Sequence, residues 1–114
     1  MALQYNLSKV YEISENDNEF ALQIATLFLE EVPYEIQEMK DAIELKDYDK
    51  TYASAHKIKP TLDLLGMDMA YEDVLLIMEW AQEEGKRKEI KEVFRTLKTR
   101  IAAAADEIKK DFKL

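Results

Sequence analysis

Apolar residues recur at steps of three and four along most of the chain, which is the spacing of one face of an α-helix. The longest such stripe lies within residues 17–45, and three further stripes end near Gly66, near Gly85 and at Phe112. A smaller apolar set, Leu7, Val10, Tyr11 and Ile13, predicts a short extra helix near the N-terminus. No segment alternates with a period of two, and the links are short. The pattern therefore predicts an all-α fold, an antiparallel up-down four-helix bundle with a short N-terminal helix, as one domain over residues 1–114.

Helix boundaries are marked by residues with known terminal preferences. Asn16, Asp17 and Asn18 are candidates for the N-cap of the first long helix, and Glu19 follows in its first turn. Pro33 falls within that stripe, but the apolar register continues through it, which predicts one kinked helix rather than two. Gly66 follows the last apolar residue of the second stripe and is expected to terminate that helix.

The composition limits the classes of function. The chain has 114 residues, two glycines, one histidine and no cysteine. This length supports one modest core, and the absence of cysteine excludes disulfides and thiolate metal sites. Two glycines do not supply a phosphate-binding loop together with the turns of a nucleotide-binding fold, and one histidine excludes multi-histidine zinc motifs. No apolar run is long enough for a membrane span. We therefore expect a cytoplasmic domain that binds no membrane and carries no cofactor of its own.

Charge is distributed unevenly along the chain. The formal net charge is −8, yet residues 86–114 hold ten Lys and Arg against five Asp and Glu. An acidic body repels phosphates, so nucleic acid is not expected as a partner. The basic C-terminal segment has two interpretations, a binding stripe or a solvated helix face that pairs with acidic neighbours.

The distinctive chemistry lies around the single histidine, His56. With 100° per residue, His56 is predicted roughly 100° from the centre of its helix's apolar stripe, on the shoulder of that helix. Lys59 and Pro60 are its i+3 and i+4 neighbours, so both flank the imidazole. Pro60 lacks an N–H, which leaves the His56 carbonyl without its usual donor, and an interior proline costs about 3 kcal/mol.

This arrangement suits phosphoryl transfer. A neutral imidazole, with an ordinary pKa of about 6.5, is a nucleophile near neutral pH. The Lys59 ammonium disfavours the imidazolium form, and it can neutralise a phosphoryl oxygen once the imidazole carries the group. The other interpretation is a histidine that only packs or forms a hydrogen bond. His56 and Lys59 alone do not distinguish the two.

The residues around His56 resemble the active-site motif of the histidine-containing phosphotransfer (HPt) domain family. That motif reads His-x-(Leu/Ile)-Lys-Gly with a second glycine ten residues after the histidine; here Ala55-His56-Lys57-Ile58-Lys59-Pro60 is followed by Leu65-Gly66-Met67. The similarity covers roughly residues 5–67. It implies a four-helix bundle with an extra N-terminal helix, His56 as phosphoacceptor, Lys59 as the phosphoryl-stabilising lysine and Gly66 as the helix-closing glycine. Pro60 departs from the family, which usually has glycine there.

The resemblance also implies a function. The chain is expected to be a phosphorelay intermediate in two-component signalling, a stoichiometric carrier rather than an enzyme. Its partners would be receiver domains of hybrid histidine kinases and response regulators, with Mg²⁺ bound by the receiver and no metal or nucleotide bound by this chain. We expect a monomer. Val10, Tyr11 and Ile13 are candidates for receiver docking, although they could equally cap the bundle.

Other side chains near the motif have plainer interpretations. Tyr52, Met78 and Trp80 are expected to pack in the core or at its edge, and Asp63 could pair with Lys59. The alternative function is a helical-bundle adaptor that binds a receiver or kinase and is never phosphorylated. A carboxylate metal bundle is disfavoured, because such sites pair Glu-x-x-His and the residue three before His56 is Ala53.

Overall fold

The computed structural model describes residues 4–114, so the first three residues of the predicted domain lie outside the described part. It contains α1 (Ser8–Ser14), α2 (Asn18–Glu44), α3 (Tyr48–Leu64), α4 (Asp68–Gln82) and α5 (Arg87–Phe112). No strand occurs among residues 4–114, which confirms the all-α prediction and its five helices. None of the helices over residues 4–114 is both long and apolar enough to cross a membrane.

The start of α2 follows from its N-cap. The Asp17 carboxylate accepts hydrogen bonds from the backbone N–H groups of Glu19 and Phe20, at 2.9 and 3.3 Å. These are two of the donors that a helix start leaves without an intrahelical partner. Of the three candidate N-caps, Asp17 is therefore the one used. The helix then continues through Pro33 to Glu44, as the apolar register predicts.

The end of α3 is a Schellman turn closed by Gly66. The N–H of Met67 donates to the Leu62 carbonyl at 3.0 Å and that of Gly66 donates to the Asp63 carbonyl at 3.1 Å. Gly66 has φ +64°, and a Cβ placed there would lie 2.8 Å from the Cβ of Asn6. Glycine is therefore favoured by the left-handed backbone and required by the close approach of the N-terminal segment.

The helices pack around one apolar core. α2 packs against α3 and α5, α4 packs against the same two helices, and α1 packs against α2. Met78 and Trp80 are buried in α4, as predicted, and the Trp80 indole donates to the Lys86 carbonyl at 2.8 Å. The largest fully buried apolar side chains are Phe28, Met39, Ile58, Leu62, Leu65, Ile77, Leu97 and Ile108.

The N-terminal segment before α1 joins the ends of two helices. The Asn6 N–H donates to the Leu65 carbonyl at the end of α3, at 2.7 Å. The Tyr5 hydroxyl donates to Asp111 near the end of α5, at 2.5 Å. Burial, and then this acceptor, raise the pKa of Tyr5 above its usual range. These contacts fix α1 at the end of the molecule where α3 terminates.

Candidate functional site

His56 lies on the solvent-facing side of α3. Six residues of this helix are buried, some with small polar side chains and some with apolar ones. The six are Thr51, Ser54, Ala55, Ile58, Thr61 and Leu62. Their mean direction, at 100° per residue, is about 160° from His56. The prediction that His56 lies outside the core is confirmed, but the predicted angle from the core direction was too small. The apolar stripe omits the buried Thr51, Ser54 and Thr61 and includes half-buried tyrosines. His56 is exposed, and its imidazole is open to another protein.

Lys59 lies one helical turn after His56 and is half-buried. Among residues 4–114 it forms no ion pair, and the anticipated pair with Asp63 does not form. Asp63 instead contacts Lys9 of α1, with 3.0 Å between Nζ and Oδ1. The Lys59 ammonium is thus on the same helix surface as the imidazole and is not neutralised by a carboxylate of the described chain.

Tyr52, one turn before His56, contacts the imidazole. The two rings are nearly parallel, with an interplanar angle of 19° and centroids 6.1 Å apart. Tyr52 is half-buried. It lines a small cleft together with Tyr48 of α3 and Ala81 of α4. The prediction that Tyr52 packs is confirmed, and the structure adds that the same ring borders one side of the imidazole.

An interhelical ion pair beside His56 was missed by the sequence analysis. Lys57 Nζ lies 3.1 Å from Glu35 Oε2, and the Glu35 side chain is only 8% exposed. The hydrogen bond to Glu35, followed by the charges of Glu35 and Glu31, raises the pKa of Lys57. Because its pKa is raised, Lys57 stays protonated throughout the neutral range, and its contribution to stability is lost as the pH rises through that pKa.

A sequence signal for this pair existed. Glu35 lies between Val32 and Ile36 at a core-facing position of the α2 stripe, and a carboxylate there needs a cation. The cation is Lys57, the residue directly after His56. The pair therefore ties the His56 segment of α3 to α2.

Pro60 lies inside α3 and is exposed. At four residues after His56 it shares the outer face of the helix, and because proline has no N–H, the His56 carbonyl lacks its usual i+4 donor. The helix nonetheless continues without interruption from Tyr48 to Leu64. The surface beside the imidazole is therefore compact and carries no competing polar side chain at this position.

The three predicted docking residues of the N-terminal helix differ in solvent exposure. Val10 is fully buried, so its proposed docking role was wrong and it caps the core instead. Tyr11 is half-buried against the core, whereas Ile13 is 60% exposed. On α2, Leu27 and Tyr34 are exposed apolar side chains, and Tyr34 is near enough to Lys57 to contribute to its raised pKa. Exposed apolar surface is thus available on the helices next to His56.

No protein-family model, curated protein or solved structure matches the chain. No group of three or more His, Cys, Asp or Glu side chains within residues 4–114 could hold a metal ion. The site therefore consists of an exposed imidazole, an ammonium one turn away, an aromatic ring on one side and a proline on the other.

Proposed function

We propose that this chain is a phosphorelay intermediate of two-component signalling, which accepts a phosphoryl group on His56 from a receiver-domain aspartate and passes it to another receiver. The observation that carries the proposal is the exposed imidazole of His56 on the outer face of α3, with Lys59 one turn away and not ion-paired within residues 4–114. The similarity of residues 55–67 to the HPt motif supports the same assignment.

The chemical step needs few groups from this chain. The lone pair of one ring nitrogen of neutral His56 attacks the phosphorus of the aspartyl phosphate. The bond between phosphorus and the aspartate oxygen breaks, and its electron pair leaves with the carboxylate. The other ring nitrogen retains its proton, so no separate general base is required. Lys59 lies where it can neutralise a phosphoryl oxygen during transfer. The reverse sequence returns the group to a second receiver.

The surroundings of His56 favour a protein partner over a small substrate. The imidazole stands on a convex helix face, and small-molecule sites are concave. Pro60 is compact, and Ile13 and Leu27 supply exposed apolar surface on neighbouring helices. In this proposal the receiver contributes its acidic pocket and Mg²⁺, and the chain acts as a monomeric cytoplasmic carrier that is not a turnover enzyme.

The same proposal includes an antiparallel up-down four-helix bundle for α2–α5, with α1 as the extra helix. Its support is the cyclic order of helix contacts, α2 with α3, α3 with α4, α4 with α5 and α5 with α2. Two ion pairs support opposite directions for α2 and α3, since Glu35 contacts Lys57 while the later residue Glu38 contacts the earlier residue Lys50. Partners that run in opposite sequence order are typical of antiparallel helices.

The test is transfer from a panel of phosphorylated receiver domains to wild-type protein and variants. His56→Gln is expected to take no label, and Lys59→Ala to be labelled at least about tenfold more slowly, because one charge-stabilising contact is lost. The matched control is Lys50→Ala, which removes an ammonium from the same helix away from His56. It should be labelled at the wild-type rate. A folded wild type that binds a receiver but stays unlabelled would support the adaptor function instead.

A further inference from the structure

A second candidate binding surface lies between α2 and α5, away from His56. It is an open cleft of about 600 Å³ whose floor includes the buried Ile43 and the half-buried Phe94. We call it the basic cleft, since six of the residues that line it are cationic: Lys40, Arg87, Lys88, Lys91, Arg95 and Lys98. Glu44 is the acidic side chain among the lining residues.

The charges of the basic cleft are poorly compensated by the chain itself. Arg95 pairs with Glu92 on its own helix, where both side chains are more than half exposed, and such pairs contribute little. Arg87 donates to the backbone carbonyl of Glu44 at 3.4 Å. The four lysines of the basic cleft form no ion pair with a carboxylate of residues 4–114. A concentration of unpaired cations on a chain of net charge −8 favours an external anionic group.

The start of α5 adds to the positive potential. α5 begins at Arg87, so Arg87 and Lys88 lie in its first turn, where the helix dipole is positive and acidic side chains are preferred. Their charges are therefore unfavourable in the isolated chain and become favourable when an anion is bound.

The shape of the basic cleft favours a protein segment. Along α5 the lining runs from Arg87 to Lys98, which is about 16 Å at 1.5 Å per residue and matches about three turns of a bound helix. The two arginines can hold carboxylates in bidentate geometry. Phe94 and Ile43 offer an apolar contact that a simple anion would not use. A long nucleic acid would extend beyond the cleft onto residues 1–85, which carry 19 acidic against six basic side chains.

We propose that the basic cleft binds an acidic, amphipathic segment of a partner protein. The site is separate from the phosphoryl-transfer surface, because α2 packs against α3 on one side and α5 on the other, while His56 faces outward from α3. None of the residues that line the basic cleft belongs to α3, the helix that carries His56. This proposal does not depend on phosphoryl transfer.

The test is fluorescence anisotropy with a labelled amphipathic peptide of Glu and Leu, about twelve residues long to span three helical turns. The peptide is expected to bind wild type with an affinity that falls as salt is added. Lys91→Glu/Lys98→Glu should weaken binding at least about tenfold. The matched control, Lys109→Glu/Lys110→Glu, makes the same charge change on the same helix outside the cleft and should bind within about twofold of wild type. His56→Gln should bind as wild type does.

Four results would overturn the proposal. The first is no binding to folded wild-type protein, and the second is equal weakening by the two double variants. The third is equally tight binding of a thymidine oligonucleotide or of a Glu and Ser peptide that lacks apolar side chains. The fourth is a concentration-dependent dimer in sedimentation equilibrium that Lys91→Glu/Lys98→Glu abolishes, which would assign the basic cleft to a second copy of the chain. Thermal unfolding of each variant establishes that it is folded.

Discussion

Replacing Pro60 by alanine is expected to stabilise the protein. Pro60 is an exposed residue in the interior of α3, and its side chain is not part of the buried core. An interior proline is about 3 kcal/mol less favourable than alanine in a helix, because it removes a hydrogen bond and crowds the preceding turn. Proline also restricts the unfolded chain, which offsets about 0.4–1 kcal/mol of that difference. The net expectation is a gain of about 2 kcal/mol in the free energy of unfolding, measured by urea titration at an unchanged m value.

Pro33 provides the matched control, since it is also an exposed proline in the interior of a long helix. Pro33→Ala should give a gain of similar size. Substitutions at the two positions are expected to differ in their effect on the rate of phosphoryl transfer, because only Pro60 lies beside His56. Pro60→Ala should retain transfer because alanine is compact, whereas Pro60→Phe should be more stable than wild type yet slowed at least about tenfold by a bulky ring beside His56. Wild-type or lower stability of Pro60→Ala, with a gain for Pro33→Ala, would refute the account of α3.

Three further predictions concern the helix ends and the pH dependence of stability. Gly66→Ala should cost about 1–3 kcal/mol in urea unfolding, because residue 66 has φ +64° and the new Cβ would meet Asn6; an unchanged midpoint would contradict this. Asp17→Ala should cost about 1 kcal/mol through loss of the α2 N-cap, and Asp17→Asn, which also caps, should cost less. Burial raises the pKa of Asp73 despite the opposing effect of Arg100, so the folded state binds this proton more tightly and the contribution to stability falls as pH rises through that pKa. The urea midpoint of wild type relative to that of Asp73→Asn should therefore decrease as the pH rises above about 4, and parallel curves would exclude the effect.

The helices could be predicted because each carries its own signal. The α2 stripe continues in register through Pro33, and Gly66 ends α3 where a left-handed residue is needed. The position of His56 was less well predicted. Thr51 is buried because its hydroxyl donates to the Asp47 carbonyl at 2.9 Å, which satisfies the polar group within the helix. Counting only apolar residues therefore shifts the inferred core face and moves His56 too close to it.

Contacts between helices could not be predicted in the same way. The Glu35–Lys57 pair and the basic cleft depend on how α2 is rotated and translated against α3 and α5, and neither quantity is encoded in the period of a single stripe. The sequence showed a basic C-terminal segment but not that Lys40 of α2 joins it. Of the two interpretations of that segment, pairing with an acidic neighbour is observed for Arg100 and Asp73. Binding remains a prediction, made for the cleft that Lys91 and Lys98 line.

Locating the phosphoryl group tests whether His56 is the phosphoacceptor. Wild-type protein is incubated with a phosphorylated receiver domain, digested at neutral to alkaline pH to preserve phosphohistidine, and sequenced by fragmentation in the mass spectrometer. We expect one phosphoryl group, carried by His56 and absent from His56→Gln. A phosphoryl group on any other residue, or none on folded protein across a panel of receivers, would contradict this expectation.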